Sequence, residues 1–431
     1  MAGNVAELKK VVIIAPYWCD PQHLGSIRIE RFLRWLNAAG MGVVLIAGGE
    51  NDSRREEAWG TLVTVSDPLG IYRERRAQPG AAPARPRLLR WLAYALLSPD
   101  PGIAWAWRAS RHPLVIEQCS DVDLVLSSSF PESSHVAAAR LAERCAARLV
   151  VDLRDGWLDE PMKPFLRDSP LRRLREGVLE RRLLRQAGAI LVTSEQWRRL
   201  LIQRLPFTAD KTVTLTNAYP AGCKIPDKSN AADRPRERPL TLLYAGRLFS
   251  SRAERRIEHL LAPLLTGLQG CAASGTLLFV GNLSQDEVDE LNRWGTNFKQ
   301  AGWDIITRAA LPRAAAIDLM RQADGLLLLS SSYASIPAKL FDYLCAQRPI
   351  LALAPAASAV ADLVPQLRQL FALDYRDATA APVVAKFVEA CQSGLVSDLP
   401  AQFDEVHVRA IFLAAIGCVA REEQVCATRT G

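Results

Sequence analysis

The chain has 431 residues, 49% apolar and 23% charged, with a formal net charge of +7. That length exceeds one ordinary core and predicts two domains, and the composition excludes a disordered or fibrous chain. No apolar stretch approaches the length needed to span a bilayer. The nine cysteines are scattered singly, without a C-x-x-C pair or a His/Cys cluster at metal spacing, which argues against a disulfide framework and for a reducing compartment.

Lys9 and Lys10 precede an apolar run at 11–15 that stops at Pro16. It is too short for a signal-peptide core and reads as a buried strand. A helical pattern over 27–39 ends at Gly40, and a second strand follows at 43–46. Arg73, Arg75, Arg76, Arg85, Arg87 and Arg90 then cluster with little acid to offset them. Such a patch fits a solvated face, or an anionic partner such as a membrane, a phosphorylated substrate or nucleic acid. The stretch 86–97 carries Trp91 and Tyr94 among apolar residues and arginines. It reads equally as a helix lying in a lipid headgroup layer and as a core helix with a basic rim.

Further buried-strand runs fall at 124–126, 149–151 and 190–192. The arginine-rich stretch 170–186 keeps Leu171, Leu174, Val178 and Leu183 at core spacing, so it is expected to pack inward. Residues 221–239 have no apolar period and read as a linker. The second half repeats the scheme, with strands at 240–245, 277–280, 325–329 and 350–353 and a last helical pattern over 403–420. In that half Cys345 lies in an apolar helical pattern, as does Cys418 in the last one, where cysteine serves as a small hydrophobe.

Short apolar strands alternating with amphipathic helices predict parallel sheets covered on both faces. The expected fold class is therefore α/β, two Rossmann-like doubly wound domains facing across a cleft. Their expected boundaries are 1–225 and 239–400, joined by a linker at 226–238 and followed by a C-terminal helix and tail at 401–431.

Five motifs carry chemistry. In the second half, Tyr244-Ala245-Gly246-Arg247-Leu248 stands at a strand end, with Arg252 five residues after Arg247. Ile336-Pro337-Ala338-Lys339-Leu340-Phe341-Asp342-Tyr343-Leu344 follows, where Pro337 suits a first helical turn. In the first half stand Gly25-Ser26-Ile27-Arg28, Ser128-Ser129-Phe130-Pro131 with His135, and Asp152-Leu153-Arg154-Asp155-Gly156-Trp157. Two cations at a strand end suit a leaving diphosphate, which gains charge as its bond breaks. A helix N-terminus beside them suits the same anion. One carboxylate meets two vicinal hydroxyls.

Together, in this order, the motifs resemble those of bacterial family 4-type glycosyltransferases of the GT-B fold. The resemblance runs from the first strand to about residue 355. It implies a retaining, metal-independent transfer of sugar from a nucleotide-sugar donor, the co-substrate, with no cofactor. It assigns donor binding to Gly25, Arg247, Arg252, Ser335, Lys339 and Asp342, and catalytic roles to His135 and Asp155. It implies an acceptor glycan or polyprenyl-linked glycan in cell-surface polysaccharide synthesis. The place is the cytoplasm, with peripheral contact at the anionic inner face of the membrane and no nucleic-acid partner.

The sequence departs from the pattern at Ala334, where the family carries a second acid eight positions before Asp342, and at Gly156, where it carries proline. The first departure leaves the donor sugar open. It also keeps two alternatives alive: a nucleotide-sugar epimerase on the same fold, and a non-catalytic nucleotide-sugar-binding protein.

Overall fold

A computed structural model of the chain describes residues 8–19, 24–72, 97–159, 169–219, 223, 238–246, 248, 256–376 and 380–417. The chain forms two compact units, one of residues 1–193, 197–215 and 409–431, the other of 194–196 and 216–408.

The first unit begins with β1 (Lys10–Ile14), α1 (Leu24–Ala38) and β2 (Gly42–Gly49), then β3 (Ser53–Glu57) and β4 (Gly60–Ser66). Next come α2 (Ile103–Ala109), α3 (Pro113–Glu117), β5 (Leu124–Ser128), α4 (Ser133–Cys145) and β6 (Arg148–Leu153). It continues through α5 (Pro170–Gln186), β7 (Ala189–Val192), α6 (Glu195–Arg204) and β8 (Thr212–Thr214). The eight strands run in the order β3-β4-β2-β1-β5-β6-β7-β8 and are parallel except for the β3–β4 pair. β1 and β5 are wholly apolar or small at their centres and almost fully buried, as a sheet covered on both faces requires. Gly40, at φ +77°, ends the first long helix in the left-handed region that glycine enters without steric cost.

The second unit holds β9 (Leu240–Ala245), α7 (Glu258–Gln269), β10 (Gly275–Val280), α8 (Gln285–Gln300), β11 (Trp303–Arg308) and α9 (Arg313–Gln322). It goes on with β12 (Gly325–Leu329), α10 (Lys339–Ala346), β13 (Ile350–Leu353), β14 (Leu370–Leu373) and α11 (Ala380–Gln392). Its six strands are all parallel, in the order β11-β10-β9-β12-β13-β14. In each sheet the strand order turns back once near the middle, between β1 and β5 and between β9 and β12. Those switch points are where open α/β sheets hold ligands, outside the strand carboxyl ends.

The final helix, α12 (Glu405–Ile416), ends in the first unit. There Phe412 stacks on Phe32 at 4.5 Å between ring centroids, and Arg148 Nη1 donates to the Ile416 carbonyl at 2.9 Å.

Two expectations are corrected. Leu171, Leu174 and Val178 of α5 do not pack inward; they are 68%, 66% and 64% exposed. The helix buries Arg172, Glu176 and Glu180 instead, together with Leu183 and Leu184. Those charges are tolerated because each is paired: Arg172 Nε with Glu176 Oε1 at 2.8 Å, and Glu180 with Arg204 at 2.5 Å. The second correction is that Cys223 and Cys345 form a disulfide, with their Cα atoms 5.7 Å apart and 122 residues between them in sequence. Cys345 is thus more than the small hydrophobe its helical pattern suggests.

Candidate functional site

The first unit carries a small open pocket at the carboxyl ends of β1, β5 and β6. Pro16 to Trp18 form one wall, Gly25, Ser26 and Ile29 of α1 a second, and Ser128 to Phe130 with Arg154 the rest. Gly25 is buried in the first turn of α1, so the amide end of that helix borders the cavity.

Arg28, one turn further along α1, has a different part to play. Its guanidinium donates to Asp152 through Nε at 2.9 Å and through Nη2 at 2.8 Å, with both side chains buried. Nη2 also donates to the Leu215 carbonyl at 3.1 Å, and Ser128 Oγ donates to Asp152 Oδ2 at 2.7 Å. Two of the sequence motifs are therefore joined by one buried ion pair, which fixes α1 against β5 and β6 and holds the cavity walls in place.

His135 lies on α4 with no exposed surface, its Nδ1 2.8 Å from Ser127 Oγ and its ring 5.9 Å from that of Trp157. It is not among the residues lining the cavity. Asp100 caps the same helix from afar, accepting the Ser133 amide and hydroxyl, each at 2.8 Å. Asp155 is partly exposed beside Arg154, at 3.7 Å. Trp157, which closes the Asp-Leu-Arg-Asp-Gly-Trp run, donates to Glu176 Oε2 at 3.0 Å.

Gly156 now has a reason. A Cβ there would come within 2.3 Å of the Trp197 ring, so the proline of the family pattern has no room. Gly156→Ala is expected to cost about 1–3 kcal/mol through overpacking, read as a lowered melting temperature. An unchanged melting temperature would contradict the packing described.

Of the predicted donor residues in the second unit, Ser335 lies in the loop after β12 and Lys339 reaches the end of β9. Arg247 and Arg252 lie outside the described residues. Gly246, at φ +107°, turns the chain as it leaves β9, and its carbonyl is so near Gly281 that a Cβ on Gly281 would meet it at 2.5 Å. Lys339, at the start of α10, reaches back to the end of β9. Its Nζ stands 3.7 Å over the Tyr244 ring and 3.4 Å from the Ala245 carbonyl. Tyr343 locks the same helix to the sheet, accepting the Ala245 amide at 2.9 Å and donating to the Leu327 carbonyl at 3.1 Å. Burial pushes its phenol well above the ordinary tyrosine value, so it stays a neutral donor.

Ala334, where the family acid would stand, is buried in the loop after β12. Ser332 Oγ accepts the amides of Ala334 and Ser335, at 3.3 and 3.0 Å. The Ser335 and Ser331 hydroxyl oxygens are buried without a protein hydrogen-bond partner. Asp342, one turn after Lys339, is met by Arg313 of α9, whose Nη2 and Nε lie 2.6 and 3.2 Å from Oδ1. Sequence reasoning missed Arg313, since nothing in its neighbourhood marks a residue whose partner is 29 positions away.

This arrangement, two doubly wound sheets each with a polar site at its switch point, can be set beside known proteins. Sucrose-phosphate synthase from Thermosynechococcus elongatus is similar over 98% of this chain and 99% of its own, at TM-score 0.57 and 14% identity. The Anabaena protein HepE, in complex with UDP-glucose, is similar over 98% of this chain and 99% of its own, at TM-score 0.57 and 14% identity. An α,α-trehalose 6-phosphate synthase from Burkholderia multivorans covers 98% of this chain and all of its own, given as 100%, at TM-score 0.58 and 11% identity. No curated protein sequence matches the chain.

These likenesses show the fold, which is GT-B. Its residues 25–218 match the profile of the glycosyl transferase 4-like domain family. Among the described residues no helix is long and apolar enough to cross a membrane.

Proposed function

We propose that the protein transfers a sugar, with retention and without a metal, from a nucleotide-sugar donor to a glycan or polyprenyl-linked glycan. The setting is cell-surface polysaccharide synthesis at the inner face of the cytoplasmic membrane. The observation that carries the donor assignment is Lys339 drawn to the carboxyl end of β9, with Asp342 one turn further on. A cation at that strand end suits the diphosphate, and a carboxylate one helical turn away suits the ribose hydroxyls. Arg247 and Arg252, close in sequence to the end of β9, are proposed to add positive charge toward the diphosphate. HepE is seen with UDP-glucose, which makes a uridine diphosphate sugar the first donor to try.

In the reaction the bond from the anomeric carbon to the diphosphate oxygen breaks. The acceptor hydroxyl forms the new bond on the same face, and its proton passes to the departing phosphate. The cations stabilise the charge that grows on the leaving group, the electrostatic work a metal does elsewhere. Ser335, whose buried hydroxyl has room for a partner, takes the place of the missing acid near the transferred sugar. Gly25 places the first turn of α1 beside the cavity, where its amides meet an anion. Asp155 meets a substrate hydroxyl from the rim, and His135, fully buried, positions Ser127 and the strand end beside it.

Activity is expected to survive excess EDTA unchanged, measured as release of nucleoside diphosphate. Loss in EDTA restored by Mg²⁺ or Mn²⁺ would contradict the proposal. The basic segment 73–97, which lies outside the described residues except for Leu97, is proposed to contribute to weak, salt-sensitive contact with the anionic leaflet.

A further inference from the structure

The inverted burial of α5 leaves a surface that the reaction does not use. Leu171, Leu174 and Val178 fall at helical spacing i, i+3 and i+7, so they form one continuous stripe, and all three are exposed. An apolar stripe in water costs free energy unless something covers it. Five exposed arginines share the helix with it: Arg173, Arg175, Arg181, Arg182 and Arg185. Its only two acids, Glu176 and Glu180, are buried and paired. The exposed side of α5 is thus apolar and cationic, with no negative charge of its own.

The elements around it extend the same character. Trp107 of α2 is 50% exposed, with the Arg140 guanidinium 5.2 Å from its ring. Burial depresses the Arg140 pKa, and the charges of Arg111 and Arg182 depress it further, so cations lie close together here, with Glu143 offsetting them in part. Phe207 is exposed under Arg185 of α5 and Lys211, at 5.3 and 5.7 Å. An exposed acid, Asp210, also lies on that turn. Aromatic rings flanked by cations, together with an exposed apolar stripe, suit the boundary between lipid headgroups and acyl chains.

We infer that the exposed face of α5, together with Trp107 and Phe207, docks the protein on an anionic lipid bilayer. Charge complementarity selects the partner. Five arginines match an anionic leaflet, and the Leu171, Leu174 and Val178 stripe matches its acyl boundary. A polyanion such as RNA would satisfy the arginines and leave the stripe bare. The inference rests on the peripheral-membrane part of the proposed function and is independent of the reaction. It assigns the contact to a helix other than the 73–97 segment.

The test is co-sedimentation of the full chain with vesicles of phosphatidylcholine containing about a third phosphatidylglycerol. Wild type is expected to bind these and not neutral vesicles, with binding weakened by salt. Replacing Leu171, Leu174 and Val178 together with Gln should lower binding roughly tenfold or more. Each of Arg175→Gln, Arg181→Gln and Arg182→Gln should lower it about fivefold. All are solvent-facing changes, so melting temperature and nucleotide-sugar turnover in solution stay at wild-type values. Retained turnover also separates a failure of this inference from a failure of the transferase reading. Wild-type vesicle binding by the apolar triple variant would overturn the assignment. So would loss of binding only on replacing Arg85, Arg87 and Arg90, binding of RNA in place of vesicles, or a dimer that the triple variant dissolves.

Discussion

Arg28→Ala is expected to lower the stability of the first unit by about 3–5 kcal/mol, read as a large drop in melting temperature. The cause is the charge it would strand. Asp152 has no exposed surface and receives both guanidinium nitrogens, so truncation leaves a buried carboxylate without its cation. Neutralising both partners is a different perturbation. Arg28→Met combined with Asp152→Leu should recover much of the loss, because the desolvation of two ions disappears along with their attraction. A single variant melting within about 1 kcal/mol of wild type would show that the pair does not hold α1 to the sheet.

Lys339→Ala is expected to cost about 10²–10³ in kcat, the scale seen when one preplaced donor to a developing charge is removed. Its nucleotide affinity should also fall, since a charge-assisted contact is worth roughly 1.5–3 kcal/mol. Arg247→Ala should weaken nucleoside diphosphate binding by the same order. Lys339→Arg should not restore the rate. The site over Tyr244 and beside the Ala245 carbonyl holds a compact ammonium, whereas a planar fork carries its charge differently. A folded Lys339→Ala protein with wild-type turnover would remove Lys339 from the donor site. Stability should be little changed, which separates this effect from that of Arg28.

The parts legible in the sequence are those where local pattern and tertiary environment agree. β1, β5, β9 and β12 are short apolar runs because both faces of each sheet are covered, and their burial makes them stand out. β3 is fully exposed and reads SRREE, β8 has three residues, and β11 alternates; these edge strands carry too little apolar signal to be found. The motif residues were found because they sit at strand ends and helix starts, where turn chemistry marks them.

Their partners were not found, because pairing is set by the fold. Asp152 is 124 residues from Arg28, and Cys223 is 122 from Cys345. For α5 the helical period located the stripe but not its direction. Period 3.6 fixes which residues share a face, whereas burial depends on what lies opposite. Here Arg204, Trp157 and the Leu97 and Pro99 carbonyls lie opposite, and they select the charged face. Gly156 shows the same limit on a smaller scale, its meaning hidden until Trp197 is placed against it.

The central claim is sugar transfer from a nucleotide donor, and a labelled-donor assay tests it most directly. Purified protein is incubated in EDTA with a panel of nucleotide sugars beginning with UDP-glucose, with and without polyprenyl-linked acceptors. The account predicts release of nucleoside diphosphate matched by transfer of sugar to an acceptor with its anomeric configuration retained. Arg247→Ala and Lys339→Ala should lower both together. Recovery of the donor as an epimer without net transfer, or tight nucleotide-sugar binding with no turnover across the panel, would contradict it.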